Sequence, residues 1–202
     1  MIDEGLVGVT PGLDCHKLYQ AYSHGCFPWS GRPARWYCPD PRAVFEFDNI
    51  HFSRRLLRTV RQGRYGVTYD RAFRRVVEAC VEAHESCWID DEIVRHYTEF
   101  HHQGFAHSIE VWEGEDLVGG LYGVQIHRMF AGESMFSRKR DASKVGFFHL
   151  VEKLKNSGVI LFDAQVLNPH TRSLGATEIR RTAFLARVRQ AVMGEGKGAV
   201  AW

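Results

Sequence analysis

The sequence predicts an α+β fold, and three observations carry that prediction. Two alternating apolar and polar stretches, Ala106 to Glu113 and Asp116 to Ile126, flank the short turn Gly114-Glu115, which marks a hairpin. A third strand, Arg128 to Ser137, extends it to a meander. Segments with helical spacing stand before and after this meander, and a last apolar run, Val159 to Val166, returns as a strand.

Along the chain, the first third is dominated by turn chemistry: Thr10-Pro11-Gly12, Gly25 to Trp29, Gly31-Arg32-Pro33 and Pro39-Asp40-Pro41. Between the first two turns a short helix is predicted over Asp14 to Ser23, with Leu18, Tyr19 and Tyr22 among its apolar residues. Regular patterning starts after Pro41, so residues 1–41 are expected to form a small N-terminal domain and residues 42–202 the main one, with 194–202 a loose tail. In the main domain a strand is predicted at Ala43 to Phe47, followed by a helix over Ser53 to Arg61 capped by Ser53 and a second over Tyr69 to Ala83. After the meander come a helix, Ala142 to Asn156, and the strand Val159 to Val166, in a sheet expected to be antiparallel. This order is that of a GNAT-like (N-acyltransferase-like) α+β domain.

Composition excludes several classes. At 202 residues with 45% hydrophobic and 25% charged content, the chain can bury a core without staples. No run approaches the roughly 18 apolar residues that span a bilayer. The opening Met1-Ile2-Asp3-Glu4 is acidic where an export signal is basic, so a cytoplasmic protein with no membrane contact is expected. Five cysteines (Cys15, Cys26, Cys38, Cys80, Cys87) form no C-x-x-C pair and suggest neither a disulfide framework nor a zinc ribbon. His101-His102, near His96 and His107, lacks the H-E-x-x-H spacing, so no metal is expected and these read as solvated or core histidines.

Charge is uneven although the net value is only +2. Arg54, Arg55, Arg58, Arg61, Arg64, Arg71, Arg74 and Arg75 are opposed within their span by Asp70 alone. On the helix from Ser53, Arg54, Arg58 and Arg61 share one face, which serves either as a solvated surface or, better supported by the local excess, as a grip on an RNA backbone. Aromatic residues on loops, Phe27-Pro28-Trp29, Trp36-Tyr37 and Trp88, fit either plugs between lobes or platforms for unpaired bases.

Two strands carry polar anomalies. Alternation places Asp163 and Gln165 on one face of an otherwise apolar strand, where they need partners or a task. Glu133 sits likewise amid Met129 to Ser137, next to Gly132, which admits close approach of a backbone or ligand. Each has an ordinary explanation, a solvated strand end or a buried ion pair. If the two strands meet, the three form an acidic, hydrogen-bonding corner suited to a cationic substrate. Phe147, Leu150 and Leu154 recur at helical spacing as an apolar stripe.

These residues, in this order, resemble the leucyl/phenylalanyl-tRNA–protein transferase family over about Gly5 to Phe184. The matching stretches are Ala21-Tyr22, Gly25 to Trp29, Pro39 to Val44, Trp88-Ile89, His107 to Trp112, Leu117 to Val124, Gly132 to Arg138 with Ala142-Ser143-Lys144, and Asp163 to Asn168 with His170-Thr171 and Ser173 to Ala176. The resemblance implies a GNAT-like catalytic domain behind a small N-terminal one, acting without a cofactor. It implies leucyl- or phenylalanyl-tRNA as donor and a protein beginning with Arg or Lys as acceptor, the product being marked for degradation. It further implies an aminoacyl side-chain pocket at Leu121, Phe130, Phe147, Leu150, Leu154 and Phe162. Adenosine would be held by Trp29 and Trp88 with Tyr22 and Phe27 nearby, and tRNA by Arg54, Arg58 and Arg61. The reaction centre falls on Glu133, Asp163 and Gln165, with two routes for the proton: Asp163, aided by Gln165, orients and deprotonates the acceptor amine while Glu133 pairs with the acceptor's cation or amine, or the tRNA ribose hydroxyl relays the proton instead. Against the family's pattern the chain begins late and stops early, which implies a trimmed small lobe. Leu121 and Phe147 stand where other members often carry differently shaped side chains, which leaves the choice between Leu and Phe donors open. An acyl-CoA transferase is the rival in the same fold class, but the turn Ser137 to Ala142 has no glycine with which to cradle a pyrophosphate.

Overall fold

A computed structural model of the chain describes residues 5–83, 90–194 and 202. The first third forms a small sheet rather than a cluster of turns. Its strands are β1 (Leu6–Thr10), β2 (Phe27–Gly31) and β3 (Ala34–Tyr37), in the order β1-β3-β2. Helix α1 (Cys15–Ser23) links the first two and starts where Asp14 accepts the Lys17 N–H, an N-cap that satisfies one orphan donor.

The larger sheet has seven strands among the described residues: β4 (Arg42–Phe45), β5 (Gly66–Tyr69), β6 (Ala106–Glu113), β7 (Asp116–Ile126), β8 (Met129–Ser137), β9 (Leu161–Gln165) and β10 (Ala176–Ile179). Their order is β10-β4-β9-β8-β7-β6-β5. The expected antiparallel sheet is in fact mixed, because β8 and β9 run parallel while the other pairs are antiparallel. A parallel neighbour cannot be reached by a tight turn, and helix α5 (Ala142–Asn156) supplies the crossover.

The remaining helices are α2 (Arg54–Arg61), α3 (Phe73–Ala83), α4 (Asp91–His102), α6 (Pro169–Ser173) and α7 (Arg181–Met193). The helix expected from Tyr69 begins only at Phe73, and the residues before it form the edge strand β5. Asp70 is the reason. It adopts φ 56°, a left-handed conformation that belongs to neither the strand nor the helix, and its carboxylate is held by the Ser108 N–H at 2.8 Å.

One core serves both sheets. Leu18, Tyr22, Phe27 and Trp36 from the first third pack in the same cluster as Val76, Tyr97, Tyr122 and Phe184. On the other face α5 buries Phe147, Leu150 and Leu154 against Ile109, Leu121, Phe130 and Phe162. Each such side chain contributes about 1.5–3 kcal/mol. Gly119 lets α5 begin this close to the sheet: a Cβ there would stand 2.7 Å from that of Ala142. The expected loose tail falls mostly outside the described residues, but Trp202 stacks on His107 and Phe130 and donates to Gln125 Oε1 at 2.8 Å.

Candidate active site

The site arises where the two parallel strands part. β8 and β9 stay in register through Ala131 and Asp163. Beyond that point β8 continues to Ser137 with β7 as partner, while β9 ends at Gln165. Gln165 adopts φ 62°, a left-handed conformation costing a non-glycine residue on the order of 1–3 kcal/mol. Two bonds hold it there: its backbone N–H donates to Asp163 Oδ1 at 2.8 Å, and its Nε2 donates to Glu133 Oε1 at 2.8 Å. The side chain therefore bridges the fork, and its amide oxygen makes no hydrogen bond to a described residue.

A cavity of about 570 Å³ opens at this fork. Leu121, Phe147, Leu150 and Phe162 give it an apolar wall, Phe27 and Trp29 an aromatic one, and Glu133 and Gln165 its polar corner. Asn168, His170 and Thr171, from the turn into α6, complete the rim. Gly132 lines the same space; a Cβ there would come no nearer than 3.7 Å to Phe162 and 3.8 Å to the Asp163 carbonyl, so its lack of a side chain adds room rather than relieving a clash.

Electrostatics distinguish the two carboxylates. Asp163, 1% exposed, receives Arg42 Nε at 2.9 Å and Nη2 at 2.6 Å and does not line the cavity. Arg42 is itself sandwiched between the rings of Phe27 and Phe184, at 4.7 and 4.4 Å. No cation among the described residues pairs with Glu133. Burial pushes its carboxyl up to about 7, with Asp163 adding to the rise, while hydrogen bonds from Tyr22, Gln165 and Tyr97 offset part of it. Tyr97, from α4, donates to Glu133 Oε2 at 3.4 Å and is in turn hydrogen-bonded to Tyr22 of α1. Burial, and then the charge of Glu133, push both phenols well above the usual tyrosine range, so both remain donors.

Comparison with known proteins decides the family. Residues 44–189 match the family described as "Leucyl/phenylalanyl-tRNA protein transferase", and residues 12–40 match its N-terminal domain. The chain belongs to this family. It is 48% identical over 185 residues to the "Leucyl/phenylalanyl-tRNA--protein transferase" of Azotobacter vinelandii, covering 89% of this chain and 82% of that one. With the protein of the same description from Gloeobacter violaceus it shares 47% over 190 residues, covering 93% and 96%. Among solved structures it is similar to one titled "The structure of L-PGS from Bacillus licheniformis", with TM-score 0.44 and 15% identity, covering 82% of this chain and 56% of that one.

The transferase chain gathers most of the residues singled out from sequence around this one cavity. Leu121, Phe147, Leu150, Phe162, Phe27, Trp29, Glu133 and Gln165 line it. Phe130 and Leu154 are fully buried in the layer behind that wall, Phe130 edge-on to Phe162. Tyr22 lies beneath the corner rather than in the cavity, and Asp163 reaches it only through Gln165. Trp29 is 40% exposed and packs edge-on to Tyr37, which leaves it accessible as a stacking surface. Trp88 lies outside the described residues. Arg54, Arg58 and Arg61 are exposed on α2 and pair with no acid among the described residues, whereas Arg55 is held by Asp141.

Sequence reasoning passed over Arg42 and Tyr97. An arginine opening an apolar strand is as anomalous as Asp163 within one, and that was the available signal. His101, His107 and Asp70 converge as potential metal ligands, a grouping invisible in the sequence because Asp70 comes from the end of β5. His107 is bonded at both nitrogens, to Asp70 at 2.8 Å and to the Gly104 carbonyl at 3.1 Å, and His101 Nδ1 to the Ala106 carbonyl at 2.7 Å. These bonds close the turn around Asp70.

Proposed function

We propose that this chain transfers Leu or Phe from aminoacyl-tRNA to the N-terminal Arg or Lys of acceptor proteins, marking them for degradation. It would do so with a GNAT-like catalytic domain, in the cytoplasm where charged tRNA is found. The observation that carries the reading is the apolar cavity whose polar corner is Glu133 and Gln165. Such a cavity suits the side chain of the donor, and the corner suits an incoming amine. No helix among the described residues is long and apolar enough to cross a membrane.

An aminoacyl ester is already activated, so the reaction needs a placed, neutral amine and not a covalent enzyme intermediate. A free α-amine has a pKa of about 7.7–8.0, close to the value near 7 of Glu133. In the proposed sequence the neutral amine donates a hydrogen bond to the Gln165 amide oxygen and attacks the ester carbonyl, and as the C–N bond forms the Glu133 carboxylate takes one proton from the nitrogen. The C–O bond to the ribose then breaks and Glu133 gives that proton to the ribose oxygen, which leaves a neutral amide and the carboxylate restored. Asp163 serves as a positioning residue: its ion pair with Arg42 fixes the carboxylate that holds the backbone of Gln165. Holding the amine against the ester carbonyl supplies up to roughly 7–11 kcal/mol of a barrier. Trp29 and Phe27 would stack the terminal adenosine, and Arg54, Arg58 and Arg61 would hold the tRNA backbone.

The test is to incubate the protein with radiolabelled leucyl- and phenylalanyl-tRNA and with peptides beginning with Arg, Lys or Asp. Label should pass to the Arg and Lys peptides and not to the Asp peptide. Absence of transfer, with binding of acyl-CoA instead, would overturn the reading.

A further inference from the structure

Two of the cysteines that form no sequence motif are brought together by the small sheet. β2 and β3 are antiparallel, with Phe27 opposite Tyr37 and Pro28 opposite Trp36. One further step in that register sets Cys26 against Cys38. Opposed residues of such strands have Cα atoms about 4.5–5.5 Å apart, within the roughly 4.4–6.8 Å that a disulfide spans. Both thiols are free and lie close enough to perturb each other, and Cys26 Sγ donates to the His24 carbonyl at 3.8 Å.

Their surroundings are cationic. Arg181 Nη1 donates to the Cys38 carbonyl at 3.0 Å, and the buried Nη1 of Arg42 has no hydrogen-bond partner among the described residues. The neighbouring Cys26 thiol, with help from Arg42 and Arg181 and against burial, brings the Cys38 thiol down to about 7. The nearness of Cys38, with burial, pushes Cys26 up. A thiol poised as thiolate beside a second one still protonated is the arrangement of an attacking cysteine and its resolving partner. Cys38 is only 4% exposed while Cys26 is partly exposed, so an oxidant little larger than water reaches the pair more readily than a bulky disulfide does.

We propose that Cys26 and Cys38 are a redox-modification site, a dithiol that hydrogen peroxide converts into a cross-strand disulfide. In the first step the Cys38 thiolate attacks one peroxide oxygen. The S–O bond forms, the O–O bond breaks, and the departing hydroxide takes a proton to become water. In the second, the Cys26 sulfur attacks the sulfenic sulfur, the S–S bond forms, the S–O bond breaks, and the hydroxyl leaves with the Cys26 proton as water. The two thiols lose two electrons and the peroxide gains them. The site depends in no way on the transfer chemistry proposed above.

Peptide mapping of the whole protein tests it. Trypsin cuts after Lys17, Arg35 and Arg42 but not between Arg32 and Pro33, so Cys26 falls in residues 18–35 and Cys38 in 36–42. After peroxide, alkylation with iodoacetamide and digestion without reductant, these two peptides should be lost as separate species and recovered as one linked species, which dithiothreitol reverses. In Cys26→Ser the linked species should vanish and dimedone should label residues 36–42, because the sulfenic acid lacks its resolving thiol. Recovery of both peptides alkylated and unlinked, cross-linking spread indiscriminately to Cys15, Cys80 or Cys87, or absence of the dimedone adduct would each overturn the proposal.

Discussion

The guanidinium of Arg42 and the carboxylate of Asp163 meet in a two-point ion pair with both side chains 1% exposed. Removing one partner strands the other as a buried charge, which costs about 3–5 kcal/mol, whereas replacing both with apolar groups is often neutral. Asp163→Ala should therefore lower stability by about 3–5 kcal/mol, and Arg42→Met/Asp163→Leu should recover most of that loss in urea unfolding. Transfer should stay low in the double variant, because nothing then holds the Gln165 turn. If the double variant recovers activity along with stability, Asp163 has no positioning role.

Glu133 sets a pH dependence whose direction follows from its environment. Its carboxyl binds a proton more tightly folded than unfolded, with a value of about 7 against the ordinary 4.5. Between those two values the folded state holds the extra proton, so this residue makes stability fall as pH rises and contributes no further slope above about 7. Activity runs the other way, since only the carboxylate accepts the amine's proton. Values of kcat/KM for the acceptor should climb through pH near 7 and level only above the acceptor amine's own range of about 7.7–8.0, and Glu133→Gln should remove the lower limb, leaving that of the amine, while flattening the stability slope. A pH profile unchanged by Glu133→Gln would assign the proton to another group.

The corner residues were legible in the sequence for a simple reason. A polar residue lodged in an apolar strand stands out, and Glu133, Asp163 and Gln165 all do so, but the expectation that Asp163 and Gln165 share a face fails: the left-handed turn at Gln165 puts it in the cavity with Phe162 and Ala164, which Asp163 does not line. That β8 and β9 lie side by side was not legible, because strand order depends on contacts between distant segments. The helix α4 carried its own signals, an Asp90 cap with Asp91 and Glu92 in the first turn, histidines in the last, and buried Ile93, Tyr97 and Phe100 at helical spacing. Its polar content masked them. In α7 the stripe Phe184, Val188 and Ala191 was similarly diluted by arginines. Arg42 was hidden by its place directly after Pro41, where a charged residue reads as part of a turn.

Donor choice should respond to the apolar wall. Phe147 packs against Phe45 and Phe162 at ring-centroid distances of 5.1 and 5.9 Å, so its ring limits the space beside Leu121 and Leu150. Phe147→Leu should enlarge the cavity and raise kcat/KM for phenylalanyl-tRNA relative to leucyl-tRNA, since changes of this size in an apolar pocket move discrimination by roughly 1–3 kcal/mol. Competition between the two charged tRNAs in one reaction measures the ratio directly. A ratio identical to that of the parent protein would place the donor side chain elsewhere.

The arginines of α2 separate a binding role from a structural one. Arg54 occupies the first turn, where the helix dipole disfavours a cation by about 0.3–1 kcal/mol, and neither it nor Arg58 nor Arg61 pairs with an acid among the described residues. They therefore contribute little to folding, and a polyanion outside the protein is what would use them. Changing all three to Ala should leave unfolding within about 1 kcal/mol of the parent. Affinity for charged tRNA should fall, and the slope of log K against log salt should become shallower by about 2–3, since each lost phosphate contact removes roughly 0.7–0.9. Arg55→Ala, which breaks the pair with Asp141, is the control and should change the slope far less. Unchanged affinity and slope in the triple variant would make this face an ordinary solvated surface, and the tRNA would then have to be held by other cations.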